Sequence, residues 1–178
     1  VRYRLLESSD FILEIGDGDK FHFQQTAPGS NEYTAERSYF QRRFLKIVKI
    51  DATSAEVHQK NGFVLKFKIV PAIRVQADST EVTTFGYELV EKVDPHGNYI
   101  RYTYDTRGRL THVAAFTGVT LDYAYDARDR VTSITDHTGR TAVYEYDAQG
   151  DLVRVVNPEG GIWLYEYEHT IEAVSGLD

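Results

Sequence analysis

The chain has no cysteine and no methionine among its 178 residues. The absence of cysteine excludes disulfide bonds, cysteine metal ligands and cysteine nucleophiles. The six histidines show no metal-ligand spacing, and neither a phosphate loop nor a nucleophile elbow is present. We therefore expect no cofactor, no metal site and no catalytic residue. Because the chain starts at Val1 and lacks methionine, we also expect it to be a segment of a longer polypeptide.

Long apolar runs and basic residues are scarce as well. No run approaches the roughly 20 apolar residues of a membrane-spanning helix, and no signal peptide is present. The net charge is −7, and residues 97–178 carry 7 arginines, no lysine and 13 acidic residues. An acidic region without lysine disfavours contact with a phosphate backbone, so we expect neither a membrane span nor a nucleic-acid partner.

The second half of the chain contains one pattern written four times. Glycines recur every 21 residues, at Gly97, Gly118, Gly139 and Gly160. Five residues after each glycine begins a Tyr-x-Tyr pair followed by an acid. The pairs and acids are Tyr102, Tyr104 and Asp105; Tyr123, Tyr125 and Asp126; Tyr144, Tyr146 and Asp147; and Tyr165, Tyr167 and Glu168. An apolar residue stands two positions before each pair, which is the alternation of a strand with one buried face.

The residues after each acid predict a tight turn into a second strand. The first and fourth turn positions hold Asp105 and Gly108 in one copy and Asp147 and Gly150 in another. This pattern is typical of a type I turn whose last residue is left-handed and followed by a bulge. Asp129 replaces the glycine in the second copy, and aspartate tolerates that conformation. The return strand carries Leu110 and Val113, whose spacing of three predicts either a bulge or two half-buried faces.

Residues 1–96 also have the composition of strands, without a clean repeat. We therefore predict a β-hairpin segment with decayed repeats over 1–96 and repeats of period 21 over 97–178. Alternating phenylalanines predict a hairpin over residues 11–23, and Asn61-Gly62 predicts a two-residue hairpin turn. We expect a polar, mobile loop over Thr26–Glu36, a strand within Tyr39–Ile50, and the end of a strand at Pro71.

The repeated acids and tyrosines are the candidate functional residues. Asp105, Asp126 and Asp147 stand where an aspartate side chain caps its own turn, which is the interpretation we favour. The alternatives are acid and base groups for glycoside hydrolysis, or ligands of Ca²⁺. For the tyrosine pairs we favour packing between neighbouring hairpins over an aromatic platform for sugars.

The segment Asp94–Leu110 closely resembles the YD repeat of Rhs (rearrangement hotspot) proteins. The glycine, the Tyr-x-Tyr-Asp triplet, Gly-Arg-Leu and the 21-residue interval recur together across roughly the second half of the chain. Departures from the pattern are Asp129, Asp151 and Glu168. The segments before Gly97 are similar to the upstream part of Rhs cores.

This resemblance implies an all-β fold of stacked antiparallel β-hairpins that form a curved ribbon or spiral, as a segment of a shell. It implies a non-enzymatic structural segment of a large secreted or cell-surface protein, whose shell encloses a C-terminal toxin or effector domain. The expected partners are further repeats and the enclosed domain of the same polypeptide. Some family members cleave themselves through an aspartyl protease site, but no segment here matches that junction motif. The alternative is a repeat module that binds glycans or cell surfaces.

Overall fold

The computed structural model describes residues 3–7, 10–16, 19–35, 44–75 and 81–168. All regular secondary structure in these ranges is β-strand. Each strand pairs antiparallel with the next one along the chain. The predicted all-β fold of antiparallel hairpins is therefore confirmed. The chain divides into two compact units, Val1–Asp122 and Tyr123–Asp178. The predicted division into residues 1–96 and 97–178 concerns where the sequence repeat begins, and it stays a prediction.

The first unit contains a closed sheet followed by repeat strands. Its strands are β1 (Tyr3–Glu7), β2 (Phe11–Ile15), β3 (Lys20–Gln25), β4 (Glu32–Ala35), β5 (Phe44–Lys49), β6 (Ser54–Gln59), β7 (Val64–Val75), β8 (Glu81–Val93), β9 (Tyr99–Tyr104) and β10 (Leu110–Ala115). Strands β1 to β8 pair in order, and β1 also pairs with β8 through Leu5 and Tyr87. This second pairing closes the sheet, so β1 has a hydrogen-bonded neighbour on both sides.

The core of the first unit lies inside the closed sheet. Alternate residues of β2 are buried, and Phe11 and Leu13 have no exposed surface. The Phe11 ring packs edge-on against Tyr33, with ring centroids 4.7 Å apart. The other side chains with at most 1% exposure are Leu5, Phe23, Ile47, Val57, Leu65 and Phe67, with Ala55. Burial of this continuous apolar set, at about 25 cal/mol per Å², is the main stabilisation of the unit.

Two expectations for this unit were wrong. The segment Thr26–Glu36 contains strand β4, and Tyr33 in it is buried against Phe11, so residues 26–35 are not one polar loop. Strand β7 continues past Pro71 to Val75. The pairing of β6 with β7 ends at Lys68, so Pro71 has only β8 as a neighbour and its missing N–H costs no ladder bond on the other side.

Two further expectations were right. The predicted hairpin over residues 11–23 is formed by β2 and β3, and β5 lies within Tyr39–Ile50. Residues 39–43 of that segment, and residues 17 and 18 of the first hairpin turn, lie outside the described residues.

The remaining strands belong to the repeats. Strand β11 (Thr120–Tyr125) crosses the boundary of the two units, and the second unit continues with β12 (Val131–Asp136), β13 (Thr141–Tyr146), β14 (Leu152–Val156) and β15 (Ile162–Leu164). The pairing register shifts between Leu110 and His112, and again between Glu145 and Tyr146. Residues of β10 are half-buried throughout. The spacing of Leu110 and Val113 thus reflects both a bulge and two half-buried faces.

One turn geometry recurs at every hairpin of the repeat region. The first turn residue donates its N–H to the carbonyl of the fifth residue and accepts the N–H of the fourth, with N···O distances of 2.8–3.2 Å. The fourth residue is left-handed, including Asp129 with φ of 62°. The turns begin at Gln59, Asp94, Asp105, Ala115, Asp126, Asp136, Asp147 and Asn157. From Asp94 onward they are spaced alternately by 11 and 10 residues, so each period of 21 contains two of them.

The Asn61-Gly62 hairpin joins β6 and β7 as expected, but with this same turn. A two-residue type I′ turn needs positive φ at both central residues. Here Gly62 has φ of 82°, whereas Asn61 is not in the left-handed region. The hairpin was therefore predicted correctly, but the prediction of a two-residue turn was wrong.

The left-handed position predicts a cost for any side chain there. Gly139 has φ of 85° and open space around a hypothetical Cβ, so Gly139→Ala tests backbone strain without a clash. We expect this variant to lose about 1–2 kcal/mol of unfolding free energy in urea titrations followed by circular dichroism. The control is Gly86→Ala, at a position that also has open space but lacks positive φ. Equal losses in the two variants would contradict the assignment of the cost to the turn conformation.

Candidate functional site

The turn acids make the same set of hydrogen bonds in three turns. One carboxylate oxygen accepts the backbone N–H groups two and four residues ahead, as in Asp105, whose Oδ1 lies 2.9 Å from the nitrogens of Arg107 and Arg109. The other oxygen accepts the guanidinium of the arginine four residues ahead, with Nε···Oδ2 of 2.7–2.8 Å. These pairs are Asp105 with Arg109, Asp126 with Arg130, and Asp136 with Arg140. Each carboxylate therefore bonds its own turn at three points.

Three turns depart from this set. In the turn at Asp94, the side-chain amide of Asn98 replaces the arginine, with Nδ2···Oδ2 of 2.8 Å. In the turn at Asp147, Asp151 stands in the arginine position, and Oδ1 of Asp147 accepts the N–H groups of Gly150 at 2.8 Å and of Asp151 at 2.9 Å. In the turn at Asn157, the side-chain oxygen accepts the N–H of Gly161 at 2.6 Å.

Sequence reasoning missed half of the turn-capping residues. It singled out the acids that follow the tyrosine pairs, and did not single out Asp94, Asp136 or Asn157. The signal was present, because each of these residues stands three positions before one of the glycines that recur every 21 residues. A first-position aspartate or asparagine paired with a fourth-position glycine is the same turn signature.

These hydrogen bonds shift the acidity of the carboxyl groups. The Arg130 N–H, followed by the guanidinium of Arg130 and the N–H of Arg128, holds the pKa of Asp126 below its usual range against desolvation. The Thr138 hydroxyl has the largest effect in lowering the pKa of Asp136, and Arg140 adds to it. For Asp105, desolvation is the largest single effect and raises the pKa, but the donors of Arg109 and Arg107 together outweigh it.

The tyrosine hydroxyls make a second recurring bond. The second tyrosine of a pair donates to the carbonyl 15 residues earlier: Tyr104 to Leu89 at 2.8 Å, Tyr146 to Val131 at 2.9 Å, and Tyr167 to Leu152 at 3.0 Å. Tyr102 packs against the core of the first unit. The Arg130 guanidinium lies 4.4 Å from the centroid of the Tyr146 ring, so this arginine contacts both its turn acid and a tyrosine.

Burial separates the last tyrosine pair from the others. The side chains of Tyr102, Tyr104, Tyr123, Tyr125, Tyr144 and Tyr146 are half-buried. Tyr165 and Tyr167 are 43% and 46% exposed, and Trp163 beside them is 48% exposed. The described part of the chain contains no group of three metal-ligating side chains, and no helix in it is long and apolar enough to cross a membrane.

Comparison with known families agrees with this geometry. The RHS Repeat family matches residues 88–120 and 125–162, which contain the recurring turns from Asp94 onward and two of the four complete tyrosine pairs. These residues are therefore a fragment of an Rhs/YD-repeat core. No curated protein matches the sequence. RHS repeats are structural repeats, so residues 88–162 form a structural repeat segment that interacts with other parts of the same polypeptide.

The depressed pKa values of the RHS turn acids predict acid sensitivity. Because the folded-state pKa values of Asp126 and Asp136 lie below the unfolded value, their stabilisation is complete above about pH 4. It is lost as the pH falls from there through the folded-state pKa. We expect the urea concentration at the unfolding midpoint to decrease when the pH is lowered from 6 to 3. In the double variant Asp126→Asn, Asp136→Asn, the midpoint at pH 6 should be lower than in the parent chain, and its decrease on acidification should be smaller.

The control for this prediction is Glu166→Gln, which changes an exposed carboxylate outside the described turns. It should leave both the midpoint at pH 6 and the acid slope unchanged. An acid slope that is the same in the double variant and the parent chain would contradict the capping role.

Proposed function

We propose that the chain is a non-enzymatic wall segment of a large Rhs/YD-repeat protein, whose β-shell encloses a C-terminal toxin or effector domain. The observation that supports this proposal best is the burial of the repeat region. Among the described residues 97–168, no side chain is fully buried, whereas the closed sheet of the first unit has a continuous core. A sheet whose two faces are both half-exposed suits a thin wall better than a compact domain.

The closed sheet fits one end of such a wall. A sheet edge presents unpaired N–H and C=O groups, and arrays of repeats need terminal units that cover such edges. Strand β1 has β2 on one side and, at residues 4 and 5, β8 on the other, so the centre of this edge is covered. We therefore assign residues 3–93 the role of a cap, from which the repeats extend toward the C-terminus.

The geometry of the turn acids favours a structural role over a catalytic one. A glycosidase needs one carboxyl group that can donate a proton and a second that is free to attack or to activate water. The carboxylates of Asp105 and Asp126 are each held by backbone N–H groups and by an arginine of the same turn. Their lowered pKa values make them poor proton donors at neutral pH.

The proposal implies that the parent protein is secreted or located at the cell surface, because a shell around a toxin must reach another cell. It also implies that the partners of the chain are further repeats and the enclosed domain of the same polypeptide. The residues that cover the exposed pair Tyr165 and Tyr167 would then come from the next repeat of the same polypeptide.

The wall proposal predicts protection of the domain that follows the repeats. In the intact parent polypeptide, we expect electron microscopy to show a hollow shell, and the enclosed domain to be digested more than about tenfold more slowly than the same domain alone. The isolated domain under the same protease is the matched control. A domain that lies outside the repeats, or that is cut equally fast in both forms, would overturn the proposal.

A glycan-binding module is the second candidate, and the exposure of Trp163, Tyr165 and Tyr167 favours it. Trp163 is the only tryptophan of the chain, so its fluorescence reports on this surface directly. On the wall proposal, we expect titration with glycan mixtures to give no saturable change. Saturation at a Kd of about 10 μM that is lost in Tyr165→Ala and kept in the control Tyr123→Ala would favour the module instead.

A further inference from the structure

A pocket of about 260 Å³ lies in the first unit, beside the turns that begin at Asp94 and Ala115. Its walls are mainly apolar and include Phe63, Tyr99, Ile100 and Phe116. The polar side chains that line it are Lys92, Asp94 and Asn98. Phe116 is 52% exposed and Ile100 is 37% exposed. A single exposed phenylalanine is ordinary, but Phe116 and Ile100 are exposed side by side in one concave surface, and a contiguous apolar surface of this kind can mark a binding site.

The pocket is built where the repeat departs from its own pattern. Positions 21 residues apart are equivalent. The equivalents of Phe116 are Pro95, His137 and Pro158, and those of Tyr99 are Thr120, Thr141 and Ile162, so no other copy has an aromatic residue at either position. Ala115 stands where the other turns of this register begin with Asp94, Asp136 or Asn157. The Ala115 turn therefore gives up the side-chain cap that stabilises its equivalents.

These three changes act in one direction. Loss of the acid at position 115 removes a carboxylate from the pocket wall, and the two aromatic residues add apolar surface to it. The Ala115 turn lacks the side-chain cap of its equivalents, and the same segment presents an apolar, concave surface. Loss of local stability together with such a surface is expected at a binding site.

Lys92 gives the pocket a positive charge. Its Nζ lies 4.8 Å from the centroid of the Phe63 ring, and among the described residues no carboxylate lies within ion-pair distance of it. The neighbouring cations Lys66 and Arg101 differ, because both contact Glu91 at 2.7 Å.

The polar residues beside the pocket are already engaged. Oδ1 of Asp94 accepts the N–H groups of His96 and Asn98, and Oδ2 accepts the side-chain amide of Asn98. A sugar requires several polar groups that are available for its hydroxyls. Lys92, with apolar walls around it, instead matches a ligand with one anionic group and one apolar body.

We propose that this pocket binds a carboxylate attached to a single aromatic or branched apolar group, with the carboxylate at Lys92 and the apolar group against Phe116 and Ile100. Two sources have this chemistry: a free small acid, and the C-terminal residue of a peptide chain. This inference does not depend on the wall proposal, since it uses only residues of the first unit.

Calorimetric titration of the 178-residue chain with 3-phenylpropionate tests the pocket. We expect a Kd of about 1 mM or tighter, and binding of the neutral 3-phenylpropanamide that is weaker by about tenfold, because the amide loses the charge-assisted bond. Lys92→Gln should remove the preference for the acid, and Phe116→Ser should weaken both ligands by about tenfold. His137→Ser, at the position equivalent to Phe116, is the matched control and should bind like the parent chain.

A second pair of ligands separates the two sources. A blocked tripeptide that ends in phenylalanine should bind at least as tightly as 3-phenylpropionate if a chain terminus is the ligand, and much more weakly if only a free acid fits. Its C-terminal amide should bind more weakly in either case. The proposal is overturned if no acid saturates below about 10 mM, if Lys92→Gln and Phe116→Ser bind like the parent chain, or if glycans bind the pocket more tightly than the acids.

Discussion

The repeat region depends on one backbone constraint, the left-handed residue at the fourth position of each turn. Only with that residue can the chain make both turn hydrogen bonds and return antiparallel after four residues. The constraint sets the strand length, because successive turns follow at intervals of 11 and 10 residues. It also explains why glycine recurs at seven of these eight turns and why the remaining one has aspartate, which tolerates the same conformation at some cost.

In three of the turns, the charges of the aspartate and the arginine are used within the turn itself. An aspartate that accepts two backbone N–H groups and an arginine has little capacity left for a metal or a substrate, and its neighbour Arg130 also covers a tyrosine ring. The tyrosine hydroxyl then bonds a carbonyl 15 residues earlier, in the preceding strand. Local pairs of this kind stabilise a sheet that has no buried core, whereas the closed sheet of the first unit depends on apolar burial.

The difference between these two kinds of stabilisation decides what the sequence could predict. Hairpins and the left-handed Asp129 follow from residues within about ten positions of one another, so local patterns predicted them, although the caps Asp94, Asp136 and Asn157 and the turn type at Asn61-Gly62 were missed. The pairing of Leu5 with Tyr87 joins distant strands, and no local pattern predicts that the sheet closes there. A proline ends a strand when its missing N–H would break a hydrogen bond to a neighbouring strand. Strand β7 continues past Pro71 because β6 does not extend that far.

Departures from the repeat pattern have different physical consequences, and this separates repeat decay from selection for a site. Asp129 keeps its turn at a modest strain. Asp151 supplies no guanidinium to its turn, but the carboxylate of Asp147 still accepts its backbone N–H. Both changes weaken a hairpin, and neither adds an apolar wall to a pocket. Ala115 and Phe116 also weaken a hairpin, since the cap is lost, but they form an apolar wall next to Lys92. A change that costs local stability and also assembles a concave surface with one positive charge is better explained by a ligand than by drift.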